Sequence, residues 1–125
     1  MRAVSKYRAQ RTTVDNITFA SQKEARRYRE LKLLERAGDI RGLTMQPEFP
    51  LYVAVSGGDP ERIGVYRGDF AYEERVVRGL KITKPPTLSI AWEDVVEDVK
   101  GFKTPLYRWK KKHVEAQYGI QIRET

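Results

Sequence analysis

The sequence predicts a single α/β domain of the mixed α+β kind, with its elements in the order helix, strand, strand, strand, helix, strand. Three observations carry this. The 125 residues suffice for one domain with a real core and give no sign of a second. Two segments carry helix start and stop residues at both ends. The stretch between them is rich in β-branched and aromatic residues cut by turn residues, and no repeat, low-complexity run or linker interrupts it.

The first helix is read from "SQKEARRYRELKLLERAG". Ser21 followed three residues later by Glu24 has capping-box spacing, and Gly38 is a usual stop, so residues 22–37 form the helix. After the Gln46-Pro47 break, Phe49, Leu51, Val53 and Val55 alternate with other residues and run into the turn "SGGDP". The returning strand is "RIGVYRGDFAY", loosened by Gly64 and Gly68. Residues 74–91, with Pro85-Pro86 and short apolar patches, read as an excursion, either an added β-hairpin or a neutral insertion on the sheet edge. "WEDVVEDVKG" is a buried strand through Trp92, Val95, Val96 and Val99. Pro105 suits the first turn of a second helix that stops before Gly119, and "GIQIRE" alternates as a last strand.

Composition excludes several chemistries. There is no cysteine, hence no disulfide or thiolate site, and His113 is the only histidine, so a multi-histidine zinc site is out. Any metal must be held mainly by oxygen. No run has the length and apolarity of a membrane span, and "MRAVSKYRAQR" lacks the apolar middle of a signal peptide, so the expected compartment is a cytosol. The 24 Lys and Arg against 17 Asp and Glu give +7, which favours a polyanionic partner. Residues 1–15 read as a basic N-terminal arm with Lys6, Arg8 and Arg11, and a second basic stretch holds Lys100, Lys103, Arg108, Lys110, Lys111 and Lys112. These are the candidate phosphate contacts; the plainer reading is a solvated helix face beside a disordered arm.

Two acid-x-Lys triplets occur, "ELK" at Glu30 and "DVK" at Asp98. In a helix, residues two apart point roughly 200° away from each other, so Glu30 and Lys32 cannot converge. On a strand they share a face, so Asp98 and Lys100 meet while Glu97 turns away. Asp69, in the neighbouring "YRGDFAY", is the natural second carboxylate, because an aspartate in mid-strand conflicts with propensity in the way functional residues do. A Gly68-Asp69 turn with the acid in solvent is the competing reading.

In that order, "FASQKEARRYRELKLLERAGDI", "QPEFPL", "YRGDFAY" and "VVEDVKG" followed by Thr104 resemble the small phage and prophage nucleases of the PD-(D/E)XK superfamily, from about Lys6 to the end. The resemblance implies a restriction-endonuclease-like αβββαβ core. It also implies catalytic roles for Asp69, Asp98 and Lys100 and a helical acid at Glu24. Asp69, Asp98 and the backbone carbonyl of Val99 would hold Mg2+, with Mn2+ able to substitute, and Lys100 would position or deprotonate the attacking water. For Glu24 a metal role competes with closing the capping box at Ser21.

The gap between Asp69 and Asp98 is longer than two adjoining hairpin strands need, and the 74–91 excursion must absorb it, with Arg75, Arg78, Lys81 and Lys84 available to grip DNA. Should Asp69 be misassigned, Glu73, Glu74, Glu93 and Asp94 are the nearby acids; Glu97 replaces Asp98 only if the register slips by one. The small size and basic ends favour branched or otherwise irregular DNA over a base sequence, acted on by a homodimer in the manner of a Holliday-junction resolvase. The rival class is a non-catalytic phage DNA-binding or regulatory module whose acids cap helices and face solvent; an RNA-binding protein fits less well, since the aromatics form no stacking platform. Tyr107 and Trp109 are expected to pack in the core, and His113 to lie on the helix surface or face DNA.

Overall fold

A computed structural model of the chain describes residues 10–125; Lys6, Arg8 and the start of the N-terminal arm lie outside the described residues. A small hairpin, β1 (Thr12–Val14) and β2 (Ile17–Phe19), precedes helix α1 (Gln22–Ala37). Then come β3 (Ile40–Met45), β4 (Glu48–Val53), β5 (Glu61–Arg67), β6 (Phe70–Lys81) and β7 (Thr87–Asp98), helix α2 (Pro105–Tyr118) and β8 (Ile122–Glu124). The fold is mixed α+β. Its centre is a four-stranded sheet in the order β3-β6-β7-β8, antiparallel except for the parallel β7–β8 pair.

Both helices stop and start where their caps dictate. Ser21 Oγ accepts from the Glu24 N–H at 3.1 Å, and Gly38 takes the left-handed conformation at φ 81° that lets the last turn of α1 close. Thr104 Oγ1 accepts from the Tyr107 N–H at 3.1 Å ahead of Pro105, and Gly119 ends α2 at φ 65°.

The central sheet is buried on both faces. Phe19, Tyr28, Leu31, Phe70, Tyr72, Val95 and Val99 form one core under α1 and the β1–β2 hairpin. Leu51, Tyr66, Val96, Tyr107, Val114 and Ile122 form a second under α2 and the β4–β5 hairpin. Strand alternation sends odd-numbered β7 residues to the first core and even-numbered ones to the second.

Several expectations are corrected. The strand read at 49–55 is β4, and it pairs only with β5 in a separate two-stranded sheet. The first strand of the central sheet is β3, which sequence reading passed over because a bulge and a left-handed Gly42 (φ 67°) spoil its alternation. Residues 12–15 of the supposed arm enter the β1–β2 hairpin, turned by Asp15 and Asn16 with φ 51° and 62°. Of the two readings of the 74–91 stretch, the hairpin holds and the neutral insertion does not: it is the outer half of a continuous β6–β7 hairpin, paired from Phe70↔Glu97 out to Lys81↔Thr87. Trp109 is 76% exposed, because it sits two positions from buried Tyr107 and therefore on the far side of α2.

Candidate functional site

The strand read as one unit at 62–72 breaks at Gly68-Asp69, a bend that carries the chain from β5 to β6 without losing its ladder. The Gly68 N–H donates to Pro47 O at 3.0 Å, the Asp69 N–H to Glu97 O at 2.9 Å, and Asp69 O accepts from the Gln46 N–H at 2.9 Å. A Cβ at Gly68 would lie 3.1 Å from Val96 Cγ1 and 3.4 Å from Glu97 O, so only glycine lets the bend approach β7 this closely. Asp69 is therefore a bend residue, but its side chain is half-buried and turned to the β7 end, where its Oδ2 accepts from the Val99 N–H at 2.6 Å.

Asp98 ends β7 on the α2 face and is 1% exposed. Its Oδ2 accepts from the buried Tyr66 hydroxyl at 2.5 Å. Its Oδ1 lies 3.0 Å from Lys100 Nζ yet makes no hydrogen bond, an ion-pair separation without donor alignment. Lys100 follows the strand's end, its N–H held by Thr125 O at 3.2 Å, and its ammonium rests 4.4 Å from the centre of the Tyr107 ring. Burial first, and then the nearby Asp98 carboxyl, push the Asp69 carboxyl up to about 8, with the charge of Glu24 adding to the rise. Burial likewise raises Glu24, against the Ala20 N–H and Lys100, which favour its charged form. Burial and the bond to Asp98 raise Tyr66, keeping it a donor.

Glu97 turns to the opposite core, as alternation requires, and is fully buried. Arg27 holds it with two parallel bonds, Nε to Oε1 at 2.7 Å and Nη2 to Oε2 at 2.9 Å, while Thr125 Oγ1 and the Tyr72 hydroxyl also donate to it. Burial works to raise this carboxyl, but Arg27 and Tyr72 hold it below its usual range. It is a structural ion pair joining α1 to β7, not a substitute for Asp98.

The structure thus brings Glu24, Asp69, Asp98 and Lys100 to one end of β7. A cleft of about 570 Å³ opens there between the start of α1 and the turn after β7, lined by Ser21, Lys23, Glu24, Arg26, Lys100 and Thr104 among others. A second of about 400 Å³ reaches Tyr66, Asp98, Lys100 and Lys110 from the α2 side. Among the described residues no group of three or more His, Cys, Asp and Glu side chains is gathered closely enough to hold a metal ion, so the carboxylate pair is the kernel of the site. The pair fits a cation in two respects: one buried Asp98 oxygen lacks a hydrogen bond, and two carboxyls crowded enough to retain a proton are relieved by positive charge.

Of the candidate phosphate contacts, Lys103 and Lys111 lie 3.4 and 3.0 Å from Glu124 Oε1, and Lys110 Nζ donates to Val65 O at 3.2 Å, tying α2 to its neighbours. Arg11, Arg108 and Lys112 are exposed and make no ion pair among the described residues. The fallback acids Glu73, Glu74 and Glu93 are paired with Arg41, Arg123 and Arg78, remote from the Asp98 end of β7. His113 Nε2 meets Tyr52 O at 2.8 Å, docking α2 on β4. Sequence reasoning missed Tyr66 and Lys23, whose Nζ donates to Lys100 O at 3.0 Å; a tyrosine in a β-rich run reads as core, and nothing local distinguishes Lys23 from other helix-surface lysines.

Fold and site together define an α+β domain with two carboxyls and a lysine at one strand end. The chain belongs to the family described as "Protein of unknown function (DUF1064)", whose model matches residues 4–125. No curated protein and no solved structure matches the chain. No helix among the described residues is long and apolar enough to cross a membrane.

Proposed function

We propose that the chain is a metal-dependent endodeoxyribonuclease of the PD-(D/E)XK kind. The observation that carries the reading is the convergence of Asp69, Asp98 and Lys100 at the β7 end, with a buried Asp98 oxygen that makes no hydrogen bond. The α-β-β-β-α-β order of α1, β3, β6, β7, α2 and β8 supports it at the level of fold. Asp69, Asp98 and the Val99 carbonyl would hold Mg2+ or Mn2+, with Glu24 a further carboxylate at the same end of β7; one or two carboxylates completed by water and substrate oxygens are usual for Mg2+ in phosphoryl chemistry. A bound ion supplies Lewis acidity, making a nucleophile of water and offsetting phosphate charge.

The chain's own groups have separable tasks. Tyr66 and the Val99 N–H fix one oxygen of each carboxyl, so the other oxygens are presented in set positions. Lys100, resting over Tyr107, offers an ammonium to the water and to charge building on phosphorus. Lys23 and Arg26 line the cleft where the substrate backbone would lie. The same reading makes the substrate branched or irregular DNA and the working compartment a cytoplasm.

The rival reading, a DNA-binding module with no chemistry, treats Lys100–Asp98 as a structural ion pair. Wild type and Asp98→Ala are compared on four-way junction, flap, duplex and single-stranded DNA with Mg2+ or Mn2+. Cleavage of at least one substrate, lost by about 100-fold or more in the variant while binding persists, is the expected result. Binding without cleavage of any substrate by the wild type leaves only the module.

A further inference from the structure

The outer half of the β6–β7 hairpin is an arm. Pairing of β3 with β6 ends at Ile40↔Glu74, and β8 pairs with β7 only from Val96 to Asp98. Beyond Arg75, whose N–H still donates to Asp39 O at 2.9 Å, β6 and β7 have no strand partner but each other among the described residues, and a lone two-stranded hairpin is marginal in water. The arm is also two-faced. Leu88 and Ile90 share a face by alternation, their cross-strand partners are Leu80 and Val77, and a bulge at Arg78 keeps those two on that face. Exposures of 56% for Val77, 61% for Leu80, 54% for Leu88 and 46% for Ile90 leave this apolar face uncovered. The opposite face carries Ser89, Thr87, Lys81 and the Arg78–Glu93 ion pair.

We infer that this face is covered by the same face of a second copy of the chain, the two arms crossing antiparallel about a two-fold axis. The charges left over select that occupant. Glu73, Glu74, Arg75 and Arg78 are already paired with Arg41, Arg123, Asp39 and Glu93. What is left without an ion pair among the described residues is Asp94 at the base of the arm and Lys81 and Lys84 at its tip. Asp94 shares the apolar face, roughly 17 Å from Ser89 towards the base at ordinary strand rise, and Lys84 lies at the other end of the arm, in the turn before Thr87. A two-fold axis near Ser89, between the two apolar pairs, therefore sets the turn of each copy, with its Lys84, towards the other's Asp94, while Lys81 stays on the outer face. An isologous interface requires this self-complementarity. A DNA strand would be matched by the tip lysines but not by four large apolar side chains or by Asp94.

The inference stands on the arm alone and is read without any nucleolytic assay. The full chain is examined by sedimentation equilibrium and light scattering, expecting twice the 14.5 kDa chain mass. Leu80→Glu with Leu88→Glu should give a monomer with unchanged far-ultraviolet circular dichroism. Asp94→Lys and Lys84→Asp should each weaken the dimer about three- to tenfold, and combined they should restore it. Should the leucine variant lose its fold, the charge exchange decides alone. A wild type still monomeric at about 100 µM, two decades above a micromolar Kd, overturns the inference. So does a leucine variant that stays dimeric, charge reversals without effect, or a monomer whose DNA binding falls with the leucine changes, which would give the arm to nucleic acid.

Discussion

Each carboxyl of the site has one oxygen engaged by a protein donor and one left to something else, and the consequence differs between the two. Asp69 keeps a proton in the folded chain over a range where the unfolded chain has lost it, from the ordinary 3.8 up to about 8. Its ionisation therefore costs nothing below the lower value, costs progressively more as pH rises, and costs most above the upper one. Asp69→Asn keeps an oxygen for the Val99 N–H and abolishes that cost. In EDTA, thermal melts should show the variant gaining about 1–2 kcal/mol over wild type at pH 8 and little at pH 4. Equal gains at both pH values would show that Asp69 ionises freely. Mg2+ should raise the wild-type Tm and not the variant's, since a ligand stabilises only the state that binds it. The convergence of Asp98 with Lys100 was legible from alternation alone. Tyr66 was not, because its part depends on a hydroxyl meeting a carboxylate from a strand far off in sequence.

Between elements, the two joints that set the site are the Gly68 bend and the Arg27–Glu97 clasp. Gly68→Ala forces a methyl group against Val96 and Glu97 O, and urea unfolding should show a loss of about 1–3 kcal/mol. Glu97 is fully buried and Arg27 largely so; Arg27→Met leaves the carboxylate unpaired and should cost about 3–5 kcal/mol, most of it recovered by adding Glu97→Gln. Because Glu97 is held below its usual range, the stability it adds is present at neutral pH and is lost as pH falls through its folded value, so the Arg27→Met deficit should shrink in acid. Both helices could be read from Ser21, Gly38, Thr104, Pro105 and Gly119, since caps are local. The strands were harder. "IRGLTM" hides its pairing behind a bulge, and "ERVVRGLKITKPPTLSIA", legible as a hairpin, hides its continuity with the core strands because the bulge at Arg78 shifts Val77 and Leu80 out of simple alternation.

Across the whole molecule, the charge of +7 predicts DNA binding that weakens steeply with salt. Fluorescence anisotropy between 50 and 200 mM salt should give a log–log slope that falls by about one for each of Arg108→Ala and Lys112→Ala, the cations of α2 without an ion-pair partner among the described residues. An unchanged slope would place the DNA elsewhere. The same view gives the doubly buried stretch Val95–Val99 a further meaning. Its side chains alternate between the two cores, so its amides can meet solvent only when the α1 and α2 layers come away together. Hydrogen exchange should be slowest there and fastest between Lys81 and Thr87, which puts the candidate chemistry on the last part of the molecule to open and the arm on the first.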